Sequence, residues 1–160
     1  MLVIIDEREI VTSGYTCRFG SEGVSSAGFC PLEFQEWVAT VADADLSAVE
    51  GFLLGDCRDR QLYPKMIKDR TRAPVIAMNE TPSLEQTLDL FAAGVDDVVR
   101  KPIHVREILA RVGAIRRRNY VRGRRGRRIV VAANYAQRCR AAGQIHPARQ
   151  SLVRISQRRR

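Results

Sequence analysis

The stretch AAGVDDVVRKPIHVREILARVGAIRRR, Ala92 to Arg118, carries the clearest structural pattern in the chain. Its "DVV" run, Asp97 to Val99, is short, apolar and bounded by polar residues, which is typical of a strand. After a Lys-Pro pair, apolar residues recur at helical spacing and form one stripe: Val105, Ile108, Leu109, Val112 and Ile115. The stretch predicts a strand followed by an amphipathic helix that ends near Arg118.

Similar short apolar runs precede this stretch. They predict four further strands, at "LVII" (Leu2 to Ile5), "VSSAGF", "AVEGFLL" and "PVIAM" (Pro74 to Met78). Helical segments lie between these runs. Five strands that alternate with five helices predict an α/β fold, with a doubly wound parallel sheet covered on both faces.

One of the intervening helices can be delimited from its ends. Ser83 is a good N-cap, and Gln86 three residues later is its partner in a capping box. Gly94 provides the C-terminal stop. The amphipathic segment between them has three large apolar residues: Leu84, Leu88 and Phe91.

Charge divides the chain near residue 118. All 18 Asp and Glu lie within Met1 to Arg117 together with 14 Lys and Arg, a net charge of −4, and the other 13 basic residues follow with no acid among them. A chain of 160 residues can bury one ordinary core and hardly two. We therefore predict one folded domain, 1–118, and an Arg-rich tail, 119–160, which is too poor in apolar residues to order itself.

Cysteine and histidine usage gives no sign of a metal clip or a disulfide framework. Cys17, Cys30, Cys57 and Cys139 show no CxxC spacing, and no secretory h-region precedes them. The two histidines, His104 and His146, are too isolated to suggest a metal site. No apolar run reaches the roughly 20 residues of a membrane helix. These features predict a reduced, cytoplasmic protein without a membrane partner.

Charged and polar residues follow several of the predicted strands. Asp6 and Glu7 follow the first strand, Asn79 the fourth and Lys101 the fifth, and Glu50 is assigned to the end of the third. The carboxyl ends of the strands form the ligand site of an open parallel sheet. Paired carboxylates suit Mg²⁺, and a lysine and an amide can contact phosphoryl oxygens. The sequence therefore predicts a phosphate-handling pocket with Asp6 and Glu7 as Mg²⁺ ligands.

Three motifs are similar to those of a known family. "LVIIDE", "PVIAMNE" and above all the quoted stretch from Ala92 to Arg118 resemble the receiver domain of two-component response regulators, which has a flavodoxin-like fold. The last motif resembles the OmpR-like winged-helix subfamily, and "PSLEQTLDLF" adds a narrower similarity to its flagellar transcriptional regulators. The resemblance implies phosphorelay signalling, a histidine kinase partner, a homodimer and DNA-binding transcription control.

The resemblance assigns family roles to four residues. Asp6 and Glu7 match the acidic pair that holds Mg²⁺. Lys101 matches the lysine that contacts the phosphoryl group. Pro102 matches a proline whose preceding peptide bond is cis in the family.

Other positions depart from the family pattern. The phosphoacceptor aspartate aligns with Glu50 or Gly51. The switch Ser/Thr aligns with Asn79, and the switch aromatic aligns with Val98. A glutamate reaches one methylene further than an aspartate, so the geometry of in-line attack is lost. We predict that the pocket persists as a structural group of charges, in which Lys101 offsets Asp6, Glu7 and Glu50. We also predict that the chain is not phosphorylated.

Two other carboxylates follow the third strand and are alternative acceptors. Asp56 and Asp59 lie in a loop that also contains Arg58 and Arg60. We interpret both as surface charges. Cys57 between them is interpreted as a small, half-buried residue rather than a redox sensor.

The resemblance also implies a dimer face. Receivers of the winged-helix subfamily pair through the fourth helix, fifth strand and fifth helix by charged pairs across a two-fold axis. Five residues match those positions in type: Asp96, Asp97, Arg106, Glu107 and Arg111. A self-complementary set of acids and bases suits a C₂ contact. The alternative is a solvated helix whose charges pair within the chain.

The Arg-rich tail is too short for the winged helix that follows the receiver in this subfamily, since a domain of that kind needs roughly 90 to 100 residues. A genuine tail and a frameshift product both fit its composition. As a tail, it predicts salt-sensitive, sequence-independent DNA binding.

The sequence as a whole predicts an atypical response regulator without enzymatic activity. It would belong to the transcriptional control of flagellar genes and act through dimerisation without phosphorylation. Two alternatives stay open, a phosphorelay receiver and a protein-interaction module without DNA-binding output.

Overall fold

Five parallel strands form one sheet in the computed structural model, which describes residues 1–81 and 83–120. The strands are β1 (Leu2–Ile5), β2 (Ser26–Phe29), β3 (Gly51–Leu54), β4 (Val75–Asn79) and β5 (Asp97–Arg100). Their order in the sheet is β2-β1-β3-β4-β5. The predicted doubly wound α/β fold is confirmed. The predicted tail lies outside the described residues from residue 121 onward.

Five helices connect these strands within the described part of the chain, and a sixth follows β5. They are α1 (Glu9–Ser21), α2 (Pro31–Thr40), α3 (Asp43–Ser47), α4 (Leu62–Arg70), α5 (Leu84–Ala92) and α6 (105–120). The sequence predicted five, and the additional one is the short α3, which buries Leu46. Because Ala48 caps α3, the predicted strand "AVEGFLL" begins only at Gly51. None of the described helices is long and apolar enough to span a membrane.

The core lies on both faces of the sheet. All four residues of β1 are fully buried, and they alternate between the two faces. Val3 and Ile5 belong to a cluster with residues of α2, α3, α4 and α5. Leu2 and Ile4 belong to the second cluster, with residues of α1 and α6. Central strands covered on both faces explain the short, continuous apolar runs in the sequence.

Helix α5 contacts the core through few side chains. The predicted cap is present, because Ser83 Oγ accepts a hydrogen bond from the Gln86 backbone at 3.3 Å. Leu90 is buried in the same cluster as Ala77. An amphipathic helix would bury its stripe, yet the predicted apolar residues are exposed: Leu84 by 77%, Leu88 by 59% and Phe91 by 47%. Leu90 supplies the core contact, so the stripe faces solvent.

Candidate functional site

Asp6 lies at the centre of a set of charged residues at the carboxyl ends of the strands. Its side chain is fully buried. Oδ1 accepts hydrogen bonds from the backbone N (3.0 Å) and Nε (3.3 Å) of Arg8. Oδ2 accepts from Lys101 Nζ (3.0 Å) and from the Asp56 backbone N (3.2 Å). Each carboxylate oxygen thus has two donors, which uses its full hydrogen-bonding capacity.

Three carboxylates share the same two cations. Lys101 Nζ lies 3.0 Å from Asp6 Oδ2, 3.0 Å from Asp56 Oδ2 and 3.6 Å from Glu80 Oε1. The Arg8 guanidinium also contacts all three, with Nε 3.3 Å from Asp6, Nη2 3.9 Å from Asp56 and a short hydrogen bond from Nη2 to Glu80. Lys101 is nearly enclosed, whereas Arg8 is 45% exposed. Lys101 therefore forms the floor of the site, and Arg8 lies at its mouth.

Arg60 completes the charge balance. Its Nη1 lies 3.0 Å from Asp56 Oδ1, and its Nη2 donates to Asn79 Oδ1 at 2.7 Å. Three carboxylates now face three cations, and we call these six residues the charge cluster: Asp6, Asp56, Glu80, Arg8, Arg60 and Lys101. A cleft of about 470 Å³ beside it is lined by Glu7, Arg8, Asp56, Cys57, Arg58, Arg60, Glu80 and Gln86.

The surroundings favour the charged forms of Asp6, Lys101 and Glu80. Burial alone would raise the pKa of Asp6, but hydrogen bonds from Arg8 and Lys101 outweigh it and hold the pKa below its ordinary value. Burial alone would lower the pKa of Lys101, but hydrogen bonds to Asp56 and Asp6 raise it above its ordinary value. The hydrogen bond from Arg8 lowers the pKa of Glu80. Opposite charges in contact favour the charged form of each partner.

The end of β3 presents a glycine to the charge cluster. Gly55 follows the last residue of β3, Leu54, and its backbone N donates to the Ile5 carbonyl at 2.7 Å. A Cβ added at Gly55 would lie 2.1 Å from Asp6 Oδ2 and 2.8 Å from its Cγ. Since four donors hold the Asp6 carboxylate in place, a side chain at Gly55 would require the charge cluster to rearrange. The first carboxylate after this strand is therefore that of Asp56.

No protein-family model matches the chain. The flagellar transcriptional regulator FtcR of Brucella abortus (strain 2308) is 57% identical over 118 residues, which cover 74% of this chain and 52% of that relative. The chain thus spans about half the length of the curated relatives it matches.

Two solved structures are similar over most of their own length. A two-component response regulator from Clostridium difficile has a TM-score of 0.60 at 20% identity, covering 73% of this chain and 95% of that one. The described residues have the receiver fold. An atypical orphan response regulator, described as having a phosphorylation-independent regulatory mechanism, has a TM-score of 0.57 at 19% identity, covering 72% and 94%.

The assignment of Glu50 to the acceptor position of this receiver is wrong. Glu50 precedes β3 and lies at the opposite, amino-terminal edge of the sheet, where its backbone N donates to the Met1 carbonyl at 2.7 Å. Its carboxylate lies 3.3 Å from Arg116 Nη1 and 3.8 Å from the terminal ammonium. A strand of four residues spans about 13 Å. Glu50 and Gly51 are therefore remote from the charge cluster, and Lys101 does not offset Glu50.

The two alternative carboxylates have different positions. Asp59 is exposed, as interpreted from the sequence. The same interpretation is wrong for Asp56, which contacts Lys101, Arg8 and Arg60. Sequence reasoning missed Asp56, Arg8, Glu80 and Arg60 as cluster members. The available signal was the end of the "GFLL" run at Leu54, which brings Asp56 and not Glu50 to this edge.

Cys57, in the loop after Asp56, is partly buried and packs against the core. Burial raises the pKa of its thiol to about 12. A thiol with such a pKa is protonated at neutral pH and is a poor nucleophile. The interpretation of Cys57 as a half-buried residue is confirmed, and its raised pKa argues against a redox role.

Glu7 lies outside the charge cluster. It is exposed, and its Oε1 accepts a hydrogen bond from the Arg58 backbone N at 2.7 Å. Its own backbone N donates to the Asp56 carbonyl at 3.3 Å. Glu7 therefore fixes the loop after β3, and it shows no contact with Lys101.

The predicted Mg²⁺ ligands do not fit the ion in this arrangement. Both oxygens of Asp6 already have two donors, and Arg8 and Lys101 bring positive charge to the carboxylates that would bind a cation. Mg²⁺ demands a regular shell of oxygen ligands. Within the described residues, no group of three or more His, Cys, Asp or Glu is placed to hold a metal ion.

The remaining predicted site residues lie close to their expected places. The Lys101-Pro102 peptide bond is cis. Asn79 ends β4 and is buried, but its side-chain oxygen accepts from Arg60. Val98 is partly buried and packs against the core. Asn79 and Val98 therefore make contacts within the domain.

The five residues predicted for the dimer face all make contacts within the chain. Asp96 accepts hydrogen bonds from Lys68 and from the Val75 backbone N, so it fixes the start of β4. Arg106 Nε lies 2.9 Å from both carboxylate oxygens of Glu22 on α1. These two residues are therefore engaged within the single chain, and their assignment as partners across a dimer axis stays a prediction.

The other three dimer-face residues form one group. Arg111 Nη1 lies 2.8 Å from Asp97 Oδ2, and Arg111 Nη2 lies 2.7 Å from Glu107 Oε1. These are contacts within one chain, as the alternative interpretation expected. The group joins α6 to β5 at an edge of the sheet, where its members are exposed or half-buried.

Proposed function

We propose that this chain is the receiver part of an atypical response regulator in the transcriptional control of flagellar genes, and that it acts through dimerisation without phosphorylation. The observation that carries the proposal is the state of Asp56, the carboxylate beside Lys101, which is already paired with Arg60 and Arg8. The name of the Brucella relative supports the flagellar role. The mechanism described for the atypical orphan regulator provides a precedent.

The proposed dimer surface consists of the exposed stripe of α5 and the charged group at β5 and α6. Leu84, Leu88 and Phe91 form an apolar patch, and Asp97 and Arg111 supply both signs of charge. Surfaces of this kind suit a two-fold contact, because each copy offers the same apolar patch and complementary charges. A second copy of the chain is therefore the proposed occupant.

The first prediction is that the full chain dimerises without any phosphodonor. Sedimentation equilibrium should show a concentration-dependent dimer, and acetyl phosphate with Mg²⁺ should leave its dissociation constant unchanged. A monomer at every accessible concentration would contradict the proposal. So would a dimer that forms only after the donor is added.

The proposed function also includes how the regulator binds DNA, where it is located and whether it needs a kinase. By analogy with its relatives, the regulator would bind DNA through parts beyond the receiver, and the Arg-rich residues would add sequence-independent affinity. The receiver itself has a net negative charge and would be repelled by phosphates. We propose a cytoplasmic protein that catalyses no reaction of its own and requires no histidine kinase.

One observation favours a second candidate function. Asp56 Oδ2 lies 3.0 Å from Lys101 Nζ, so a carboxylate is present beside the lysine that contacts phosphoryl groups in receivers. A phosphorelay receiver could use this aspartate as its acceptor. Against this, Asp56 is also paired with Arg60 and Arg8. These ion pairs would have to break before Asp56 could attack a phosphodonor.

A further inference from the structure

We infer that Arg8 is a built-in replacement for the divalent cation of a receiver site, and that the site excludes Mg²⁺ for as long as this guanidinium is present. Arg8 contacts all three carboxylates of the charge cluster. It does so from the mouth of the site, where its side chain is 45% exposed. A cation that entered from solvent would meet the carboxylates at the same place.

The hydrogen bonds of Arg8 fix it in this position. Its backbone N and its Nε both bind Asp6 Oδ1, while its Nη2 reaches Glu80. A guanidinium is planar and carries several donors in a fixed arrangement, so one group can bridge carboxylates on different strand ends. Asp6 follows β1 and Glu80 follows β4. Arg8 thus connects the ends of β1 and β4.

Charge balance provides the second argument. With Arg8, Arg60 and Lys101 present, the three carboxylates of the charge cluster are neutralised. A divalent ion would add two uncompensated positive charges in a partly enclosed site, at a large electrostatic cost. Without the Arg8 guanidinium, the cluster would have one negative charge in excess. Asp56 and Glu80 are 41% and 49% exposed, so their oxygens could turn towards a hydrated ion.

This inference concerns the cation and does not require the dimer. A chain that bound Mg²⁺ could still dimerise without phosphorylation, so the two proposals fail in different experiments. The inference also assigns Arg8 a role that no motif in the sequence indicates.

The second prediction tests this inference on the full chain with Mn²⁺, followed by the electron paramagnetic resonance signal of the free ion. The unmodified chain should leave the signal unchanged. Arg8→Met should bind Mn²⁺ at least about tenfold more tightly, because a neutral side chain removes the like-charge repulsion. Mg²⁺ should displace the bound Mn²⁺, whereas NaCl at equal ionic strength should not. Asp6→Asn or Glu80→Gln in the Arg8→Met background should weaken the binding.

Two controls separate the positive charge at the mouth of the site from the overall charge of the chain. Arg8→Lys keeps a cation at the mouth and should behave as the unmodified chain does. Arg106→Met removes an exposed cation outside the charge cluster and should not create Mn²⁺ binding. A gain in Arg106→Met equal to that in Arg8→Met would overturn the inference.

Three further results would overturn the inference. The first is Mn²⁺ binding by the unmodified chain that disappears in Asp6→Asn. The second is a folded Arg8→Met variant that binds no Mn²⁺. The third is Mn²⁺ binding by Arg8→Lys that is as tight as that by Arg8→Met. If Arg8→Met does not fold in metal-free buffer, refolding it with Mg²⁺ decides the question. Rescue of folding by Mg²⁺ supports the inference, and failure of Mg²⁺ to rescue it counts against it.

Discussion

Replacement of Lys101 by Met is expected to lower the free energy of unfolding by about 3 kcal/mol or more, because it breaks a buried ion pair and leaves a charge partly uncompensated. The Asp6 side chain is fully buried and that of Lys101 is 9% exposed. Without Lys101, Asp6 keeps its bonds to Arg8 and to the Asp56 backbone, but the charge cluster has one excess negative charge. Urea unfolding at neutral pH measures the change.

The matched control is Lys65→Met on α4, where the side chain is exposed and the effect should stay within about 0.5 kcal/mol. The double variant Asp6→Asn with Lys101→Met should lose less than the sum of the two single variants, since the neutral pair leaves no buried charge without a partner. Equal losses in Lys65→Met and Lys101→Met, or strict additivity, would show that the ion pair contributes no specific stability.

Replacement of Leu88 by Glu is expected to abolish the dimer. If Leu88 packs against its own copy across the two-fold axis, the change costs about 2 kcal/mol at each of two positions, or roughly a thousandfold in dissociation constant. Leu88 is 59% exposed in the single chain, so the monomer should keep its stability. Sedimentation equilibrium measures association, and circular dichroism measures the fold.

Leu32→Glu is the control for this change. Leu32 lies on α2 and is 72% exposed, and α2 follows β2 at the opposite edge of the sheet. It introduces the same charge on a comparably exposed leucine. The proposed surface is contradicted if both variants dissociate the dimer equally or if Leu88→Glu leaves it intact.

The fold could be predicted from the sequence because the central strands are buried on both faces. Runs such as "LVII" are continuous and apolar for that reason, and all of them became strands. Local spacing could not decide which side of α5 is buried, since an exposed binding stripe and a core stripe have the same period. The short α3 was missed because its few residues carry too little periodicity.

The charge cluster was harder to predict. Asp6 and Lys101 follow strands whose ends are clear, and both are in the cluster. Glu50 was assigned to it because the acceptor position was placed inside the run "AVEGFLL", before the residues that form β3. Arg8 and Glu80 each follow a residue already selected, but a contact between ends of different strands depends on side-chain conformation and cannot be found from spacing. Arg60 reaches Asn79 from a loop, which has no sequence period.

The most direct test of phosphorylation independence is the intact mass of the chain after incubation with acetyl phosphate and Mg²⁺, under conditions that preserve acyl phosphates. A receiver with an ordinary acceptor aspartate, treated in parallel, shows that the donor is active. We predict no added phosphoryl group, because Asp56, the first carboxylate after the end of β3 at Leu54, is held by Arg60 and Lys101. An added phosphoryl group that disappears in Asp56→Asn would contradict the account and identify Asp56 as the acceptor.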